Sequence, residues 1–514
     1  MLSENSEWAG KWWLPSQPDV KVSGVLTYDP HEGLRLRLVG GWEERILQTL
    51  GEGVTSFRGE TRPFSTIHGI GNGQKMTLFD SHSIRSIRFD FFELEAGPAE
   101  QTIRSETLLV GAHVENQDAA VYVGASMSME NLTFWAFGSG IETSMGLTSE
   151  RQPDGSGQII INKTKPRVAS LESSTIKLDM QYSLPFVENT RAKRVARVTE
   201  EAYIHFTSED PQPLGFYSDL WAAHLDLISL CSLSACAPIR TTIYLPAETN
   251  QYPADHPLKN QRQKVEVYRL MTSVAEPELQ SSDWRDFVLT LADVPFEDVV
   301  IRWHEMRTRF ASAQAMILSL QHTRGGYIEP RVITSVGAAE ALHRAMKPAP
   351  PMPKAEFKRV RALLLDAVPT DHEPWLRELL ARNEPSLRTR LNELANRLGP
   401  LLPQLLPNSA AWVSAAVSAR NKLAHDGRSN SYTLDELHAL VEVTNAVVVL
   451  NFFIELEVPW ARLEKALNEH RTLSFAAQLA EEVFPALPAR LAESNNMDDS
   501  ALSSSIIDEG MHHE

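Results

Sequence analysis

Residues 407–427 of the chain read PNSAAWVSAAVSARNKLAHDG. A proline followed by Asn408 and Ser409, and then mainly by alanine and valine, predicts a helix that begins at a side-chain cap. Apolar residues recur there at helical spacing, which predicts one apolar face. The positions on this face are Val413, Ala416, Val417, Leu423 and Ala424. Arg420 falls in the middle of the face, where a guanidinium is costly unless it is paired or put to use.

His425 follows Arg420 at the predicted end of the helix, before the stop signal Asp426-Gly427. A permanent cation beside an imidazole suits phosphodiester chemistry, because the imidazole can move a proton while the guanidinium holds charge on phosphate oxygens. The spacing alone fits a solvated helix end equally well. Five residues of an ideal helix are about 140° apart, so the two side chains reach one spot only if the last turn is distorted.

The run RNKLAHDG resembles the R-x4-6-H motif of HEPN ribonucleases, including Asn421 after the arginine and a small residue before the histidine. This resemblance implies metal-independent RNA cleavage without a cofactor, in which the ribose 2′-hydroxyl attacks the adjacent phosphorus. It also implies that His425 is the general acid and base and that Arg420 stabilises the transition state. Asn421 either contacts the substrate or caps carbonyls at the helix end.

Composition places the chain among globular proteins of a reducing compartment. With 514 residues, 43% hydrophobic and 22% charged, it is long enough for two to four domains. Its two cysteines, Cys231 and Cys236, argue against a disulfide scaffold. The N-terminus lacks the pattern of a signal peptide, and the most apolar window, residues 440–458, contains charged side chains, so we expect a cytoplasmic protein without a membrane span. The net charge of −17 opposes non-specific binding to polyanions, so RNA contact requires a local basic patch.

The N-terminal half consists of short alternating runs between turn residues, from about Gly10 to Ser208. This pattern predicts antiparallel β-structure, a sandwich or a barrel, with a hairpin turn at 71–73. The tryptophans Trp8, Trp12 and Trp13 are expected ahead of the first strand, as a core plug that closes one end of the domain. The alternative is an exposed aromatic platform that binds a carbohydrate or another ligand.

The C-terminal half becomes helical at Pro295 and predicts an all-α bundle, with a capping box at 433–436. On the predicted helix 330–346, Glu340 has apolar neighbours, so a buried carboxylate that needs a partner is expected. That partner is either Arg420, which Glu340 would orient, or Arg344 at i+4.

Basic residues of the helical insertion 354–399 and of the motif are the candidates for contacts with the RNA backbone. They are Lys358, Arg361, Arg388, Arg390 and Lys422. The alternative for the insertion is amphipathic helices with a solvated charged face, because acidic residues are interspersed.

The whole chain resembles ApeA-type anti-phage proteins. The resemblance depends on GKWWLP at 10–15, the V-x-G-x-L strand at 22–26, and strands that precede a helical HEPN domain. It implies a multidomain α+β protein: an antiparallel β-rich, sandwich-like sensing or regulatory domain (1–290), an all-α HEPN ribonuclease bundle (291–480), and an acidic serine-rich tail (481–514) that we expect to be disordered.

Further expectations follow from this resemblance. HEPN sites are commonly composite, and the chain has one motif, so a homodimer or a higher symmetric oligomer through the HEPN domain is expected. The association with defence by abortive infection implies a phage-derived trigger and a structured host RNA such as tRNA as the substrate. The rival interpretation is a non-catalytic HEPN adaptor that senses a phage or nucleic-acid ligand, whose Arg420–His425 pair holds the helix end together.

Overall fold

A computed structural model describes residues 2–42, 45–51, 54–59, 63–87, 100–183, 186–250, 252–271, 273–275, 283–322, 325–426 and 431–485. The chain divides into two compact units, Met1–His304 and Glu305–Glu514. The expected domain boundaries at 290 and 480 stay predictions, and most of the tail expected to be disordered, residues 486–514, lies outside the described residues.

The first unit is rich in antiparallel β-structure. Its strands are β1 (Ser6–Trp13), β2 (Val22–Asp29), β3 (Gly33–Val39), β4 (Arg45–Gly51), β5 (Val54–Gly59), β6 (Pro63–Gly71), β7 (Gln74–Ile87), β8 (Glu100–Val110), β9 (Tyr122–Met129), β10 (Ile141–Leu147), β11 (Pro153–Ile161), β12 (Arg167–Ser170), β13 (Thr175–Tyr182), β14 (Phe186–Asn189), β15 (Arg194–Arg197), β16 (Glu200–Gln212), β17 (Pro238–Leu245) and β18 (Gln263–Arg269).

Twelve of these strands form one sheet, in the order β12-β13-β16-β9-β17-β18-β8-β3-β2-β1-β6-β7. β7 also pairs with β8, so the segment from β8 to β7 closes into a barrel of six strands. The opposite side of β8 is shared: residues 100–105 pair with β3 of the barrel, and residues 107–110 pair with β18 of the open part. The expected β-rich class is therefore confirmed, and of the two architectures left open the structure shows a barrel that continues into an open sheet.

Alternating side chains fill the barrel, as expected for a small closed sheet. Leu34, Leu36 and Leu38 of β3 are fully buried, whereas the arginines between them face outward. The turn between β6 and β7 consists of Asn72 and Gly73, both at positive φ (49° and 80°), which gives the hairpin predicted from the sequence.

The three tryptophans lie within β1 and not ahead of it, which corrects the expectation from the sequence. Trp12 is 0% exposed and Trp13 is 7% exposed, so the alternative of an exposed aromatic platform is wrong. The Trp12 ring packs directly on Gly69 of the neighbouring β6: a Cβ at Gly69 would lie 2.2 Å from Cε3 of Trp12. Only glycine allows this approach.

The chain contains the helices α1 (Leu132–Trp135), α2 (Leu214–Ser232), α3 (Phe296–His322), α4 (Ile328–Ala345), α5 (Lys354–Asp366), α6 (Glu373–Leu379), α7 (Leu387–Arg397), α8 (Leu402–Leu405), α9 (Ser409–Asp426), α10 (Leu434–Glu455), α11 (Trp460–Glu469) and α12 (Arg471–Val483). In the first unit, α2 packs against β9, β16 and β17 of the open sheet. The second unit is the expected helical bundle, built from the part of α3 that follows His304, from α4 and from the helices after it.

Helix α10 lies at the centre of this bundle, in contact with α4, α7, α9 and α12. It begins at the predicted capping box of Thr433 and Glu436. By length and composition α10 could cross a membrane, with a mean hydropathy of 1.8, but 78% of that window is buried within the protein. Such burial is typical of the core helix of a bundle.

Candidate active site

The motif helix α9 begins as its sequence predicts: Oδ1 of Asn408 accepts a hydrogen bond from the backbone N–H of Ala411 at 3.0 Å. The buried face of α9 includes Trp412, whose indole Nε1 donates to Oγ1 of Thr444 on α10 at 3.1 Å. Val413, Ala416, Ala419 and Leu423 are also buried on this face. These contacts fix the rotation of α9 and hence the direction in which the motif side chains leave it.

Arg420 lies at the edge of the buried face and not in its middle, because its side chain is 38% exposed. Its Nη2 lies 3.8 Å from Oε2 of Glu340 on α4, and its Nη1 donates to Oδ1 of Asn421 at 3.3 Å. The guanidinium is thus held from two sides while part of it still faces solvent. A partly exposed arginine with polar neighbours can contact a phosphate without first leaving a core.

Glu340 has both of the partners that the sequence left as alternatives. Its Oε1 accepts a hydrogen bond from Nη2 of Arg344 at 3.0 Å, and its Oε2 faces Arg420. The carboxylate is 25% exposed, so it is half-buried rather than buried as expected. The Glu340 carboxylate therefore lies between two guanidiniums, hydrogen-bonded to that of Arg344 and in a longer ion pair with that of Arg420.

Asn421 is exposed, and among the described residues its side chain contacts the Arg420 guanidinium and caps no carbonyl. His425 is exposed in the last turn of α9. In the part of the chain that the structure describes, it has no hydrogen bond or ion pair, and α9 runs as a helix to Asp426. The distorted last turn that would bring Arg420 and His425 to one spot is therefore not observed.

The five candidate RNA contacts separate into different environments. Lys358 on α5 and Arg388 on α7 are exposed, and Arg361 is half-buried. Lys422 is exposed and donates to Oγ of Ser431 at 2.8 Å. Among the described residues, none of these side chains contacts Arg420 or His425.

The structure contradicts the prediction that Arg390 contacts the RNA backbone. Its side chain is 3% exposed, its Nη2 donates to Oε2 of Glu384 at 3.0 Å, and its Nη1 lies 3.4 Å from Nδ1 of His343. A guanidinium that is buried and paired in this way does not reach a phosphate backbone. Arg390 instead stabilises the packing of α7 against α4.

These contacts belong to a series of ion pairs that extends outward from Arg420 and Glu340. Arg344 lies 3.8 Å from the Glu384 carboxylate that Arg390 also contacts, and His343 pairs with Glu393. Sequence reasoning missed Glu384, because no local spacing links it to a residue 40 positions earlier. Within the described residues, no group of three or more His, Cys, Asp or Glu side chains could hold a metal ion.

Two family models match the chain. The model for ApeA N-terminal domain 1 covers residues 7–303, which is more than half of the 514 residues, and the model for an ApeA-like HEPN domain covers residues 333–460. The HEPN match includes Glu340, Arg420 and His425. Searches of curated proteins and of solved structures found no significant match. The chain therefore belongs to the ApeA family, as an anti-phage defence protein with an ApeA N-terminal domain followed by an ApeA-like HEPN domain.

Proposed function

We propose that this protein is a metal-independent endoribonuclease that acts as an abortive-infection effector in the cytoplasm. The observation that carries the proposal is the state of the motif: Arg420 is half-exposed and oriented by Glu340 and Asn421, and His425 is exposed on the same helix. A guanidinium held in place with one face open, together with an exposed imidazole, is what charge stabilisation and proton transfer at a phosphodiester require.

The proposed reaction needs no nucleophile from the protein. The 2′-oxygen of the ribose forms a bond to the adjacent phosphorus, and the bond from phosphorus to the 5′-oxygen of the next nucleotide breaks. The products are a 2′,3′-cyclic phosphate and a 5′-hydroxyl. His425 takes the proton of the 2′-hydroxyl or supplies the proton of the leaving 5′-oxygen, and Arg420 binds the phosphate oxygens as charge develops on them.

Helix geometry favours an assembly in which two copies build the site. Arg420 and His425 are five residues apart on an undistorted helix, which separates them by about 140° around the axis and about 7.5 Å along it. One copy therefore presents the two groups in different directions. In the proposed homodimer, or higher symmetric oligomer, Arg420 of one copy faces His425 of the other across a two-fold axis.

The β-rich N-terminal unit is the proposed sensor, which responds to a phage-derived trigger or restrains the nuclease until infection. The proposed substrate is structured host RNA such as tRNA. Lys358, Arg361, Arg388 and Lys422 remain the proposed contacts with its backbone. Membrane association is not part of the proposal.

The rival interpretation is a non-catalytic adaptor in which Arg420 and His425 hold the helix end together. The described residues show no contact between these two side chains, and Arg420 is held by Glu340 on another helix. The observation that would favour the adaptor is therefore missing, and we retain the nuclease.

The test compares cells that express the wild type, Arg420→Ala or His425→Ala under triggering conditions, with the 3′ ends of cellular RNA analysed for cyclic phosphate. The expected result is growth arrest and cyclic-phosphate ends with the wild type alone. Matched controls are Arg377→Ala and His438→Ala, because these side chains of the same unit are similarly exposed (57% and 40%). Equal cleavage by the wild type and the folded motif variants would overturn the nuclease assignment.

A further inference from the structure

The carboxylate of Glu340 holds a second arginine beside the motif. Nη2 of Arg344 lies 3.0 Å from one carboxylate oxygen, and Nη2 of Arg420 lies 3.8 Å from the other. The two guanidiniums are therefore neighbours, although they belong to different helices, α4 and α9. An arginine in this position is close enough to share an extended substrate with Arg420.

The charges of this cluster are close to balanced, in contrast to the net charge of −17 of the chain. Three arginines, Arg344, Arg390 and Arg420, share two glutamates, Glu340 and Glu384. A third glutamate, Glu393, pairs with His343, whose other ring nitrogen lies 3.4 Å from Nη1 of Arg390. The three arginines therefore face three carboxylates, and such a locally balanced site repels a polyanion less than the rest of this acidic chain does.

Accessibility decides which of these arginines a phosphate can reach. Arg390 is buried, whereas the side chain of Arg344 is 58% exposed. The contact of Arg344 with Glu384 is long, at 3.8 Å, and Glu384 is already held by Arg390 at 3.0 Å. Exposed ion pairs of this kind contribute little to stability, so Arg344 can exchange a carboxylate for a phosphate at small cost.

We propose that Arg344 is a second substrate-binding arginine, which contacts a backbone phosphate next to the one that Arg420 holds. This inference rests on the proposed ribonuclease function and extends it to the substrate class: an RNA with a charged phosphodiester on at least one side of the cleaved bond. Glu340 positions both guanidiniums, so this one carboxylate sets the distance between the two phosphates that they bind. Arg344 itself takes no part in the bond-making step.

Binding measured without cleavage separates substrate contact from support of the fold. The protein is the full chain with His425→Ala, and the probe is a fluorescent single-stranded RNA of twelve nucleotides that spans a site cut by the wild type. Addition of Arg344→Ala is expected to weaken binding several-fold and to lower the slope of log K against log salt by about 0.7, the value for one phosphate contact on a single strand. The matched control is Arg377→Ala, an i,i+4 partner of Glu373 with 57% exposure, which is expected to change neither quantity.

A second arm tests which phosphate is contacted. A neutral methylphosphonate replaces the phosphodiester on the 5′ or the 3′ side of the cleaved bond. At one of these positions the neutral linkage is expected to weaken binding by the His425→Ala protein as much as Arg344→Ala does, and the two changes together are expected to have no additional effect.

The outcomes distinguish this inference from the proposed function. If Arg420→Ala cuts RNA as the wild type does, the ribonuclease proposal fails, whatever Arg344 does. If Arg420→Ala does not cleave RNA but Arg344→Ala leaves the affinity for RNA and the salt slope unchanged, only the inference about Arg344 fails. A third outcome is that Arg344→Ala lowers cleavage, leaves the salt slope unchanged, and weakens binding in addition to the effect of each neutral linkage. Arg344 then merely supports Glu340, and the inference is overturned.

Discussion

Two inactive variants should restore activity to each other. If Arg420 of one copy works with His425 of another, a dimer of one Arg420→Ala chain and one His425→Ala chain retains one intact site of two. Random exchange makes half of the dimers mixed, so the mixture should reach about one quarter of the wild-type rate. The basis is the undistorted helix to Asp426, which directs the two side chains about 140° apart within one chain.

The assay is cleavage of a labelled RNA by equimolar mixtures of the purified variants, with exchange of subunits verified by native mass spectrometry. Each variant alone should show no RNA cleavage. The matched control is a chain with both substitutions, which should suppress the wild type when mixed in excess, because each mixed dimer then has no complete site. The reasoning from helix geometry is wrong if subunits exchange, the mixed single variants show no cleavage, and the double variant leaves the wild type unaffected. Both groups would then act within one chain.

Three further predictions concern single side chains. Glu340→Gln should lower kcat/KM for RNA by about two- to fivefold, the effect of a partly exposed ion pair, and a thousandfold loss would mean that Glu340 acts directly in catalysis. Gly69→Ala should lower the free energy of unfolding of the β-rich unit by about 1–3 kcal/mol in chemical denaturation, because the new Cβ overlaps the ring of Trp12. Gly215→Ala should not destabilise this unit, because its Cβ would meet no atom within 4 Å outside its own stretch of helix. Burial lowers the pKa of His113 below its ordinary value, so the unfolded chain takes up the proton at a higher pH than the folded one. The free energy of unfolding should therefore decrease as the pH falls below about 6.5. His113→Gln should make this decrease smaller, and an unchanged pH profile of stability would contradict the assignment to His113.

Local signals account for the parts of the fold that the sequence predicted. Asn408 caps α9, Thr433 and Glu436 form the capping box of α10, and Asn72-Gly73 forms the hairpin between β6 and β7. Each of these features depends on residues within a few positions of one another. The side-chain types alone therefore indicated them.

Long-range pairing decided what the sequence could not predict. The barrel depends on the pairing of β1 with β6 and of β3 with β8, which joins residues more than 50 positions apart in the chain. Alternation of apolar residues fits a sandwich equally well. Arg390 carries the same local pattern as the exposed Arg388, and its burial depends on Glu384 and His343 from other elements. In the candidate site, Arg420 and His425 were singled out from their motif, but only the three-dimensional structure shows that Glu340 contacts both of its candidate partners.

The closed part of the sheet also bears on self-association. A row of unpaired backbone groups at a sheet margin is a template on which another chain can add a strand, and long flat margins promote aggregation. Closure of β7 on β8 removes one margin of the twelve-stranded sheet, so among its described strands only β12 ends it. β12 has four residues, and its Arg167 donates hydrogen bonds to the backbone carbonyls of Ala136 and Phe137. The described part of this sheet thus ends in the four residues of β12 and in residues 179–182 of β13, which β12 does not pair, so its margin offers an incoming strand short stretches of backbone and no long flat template.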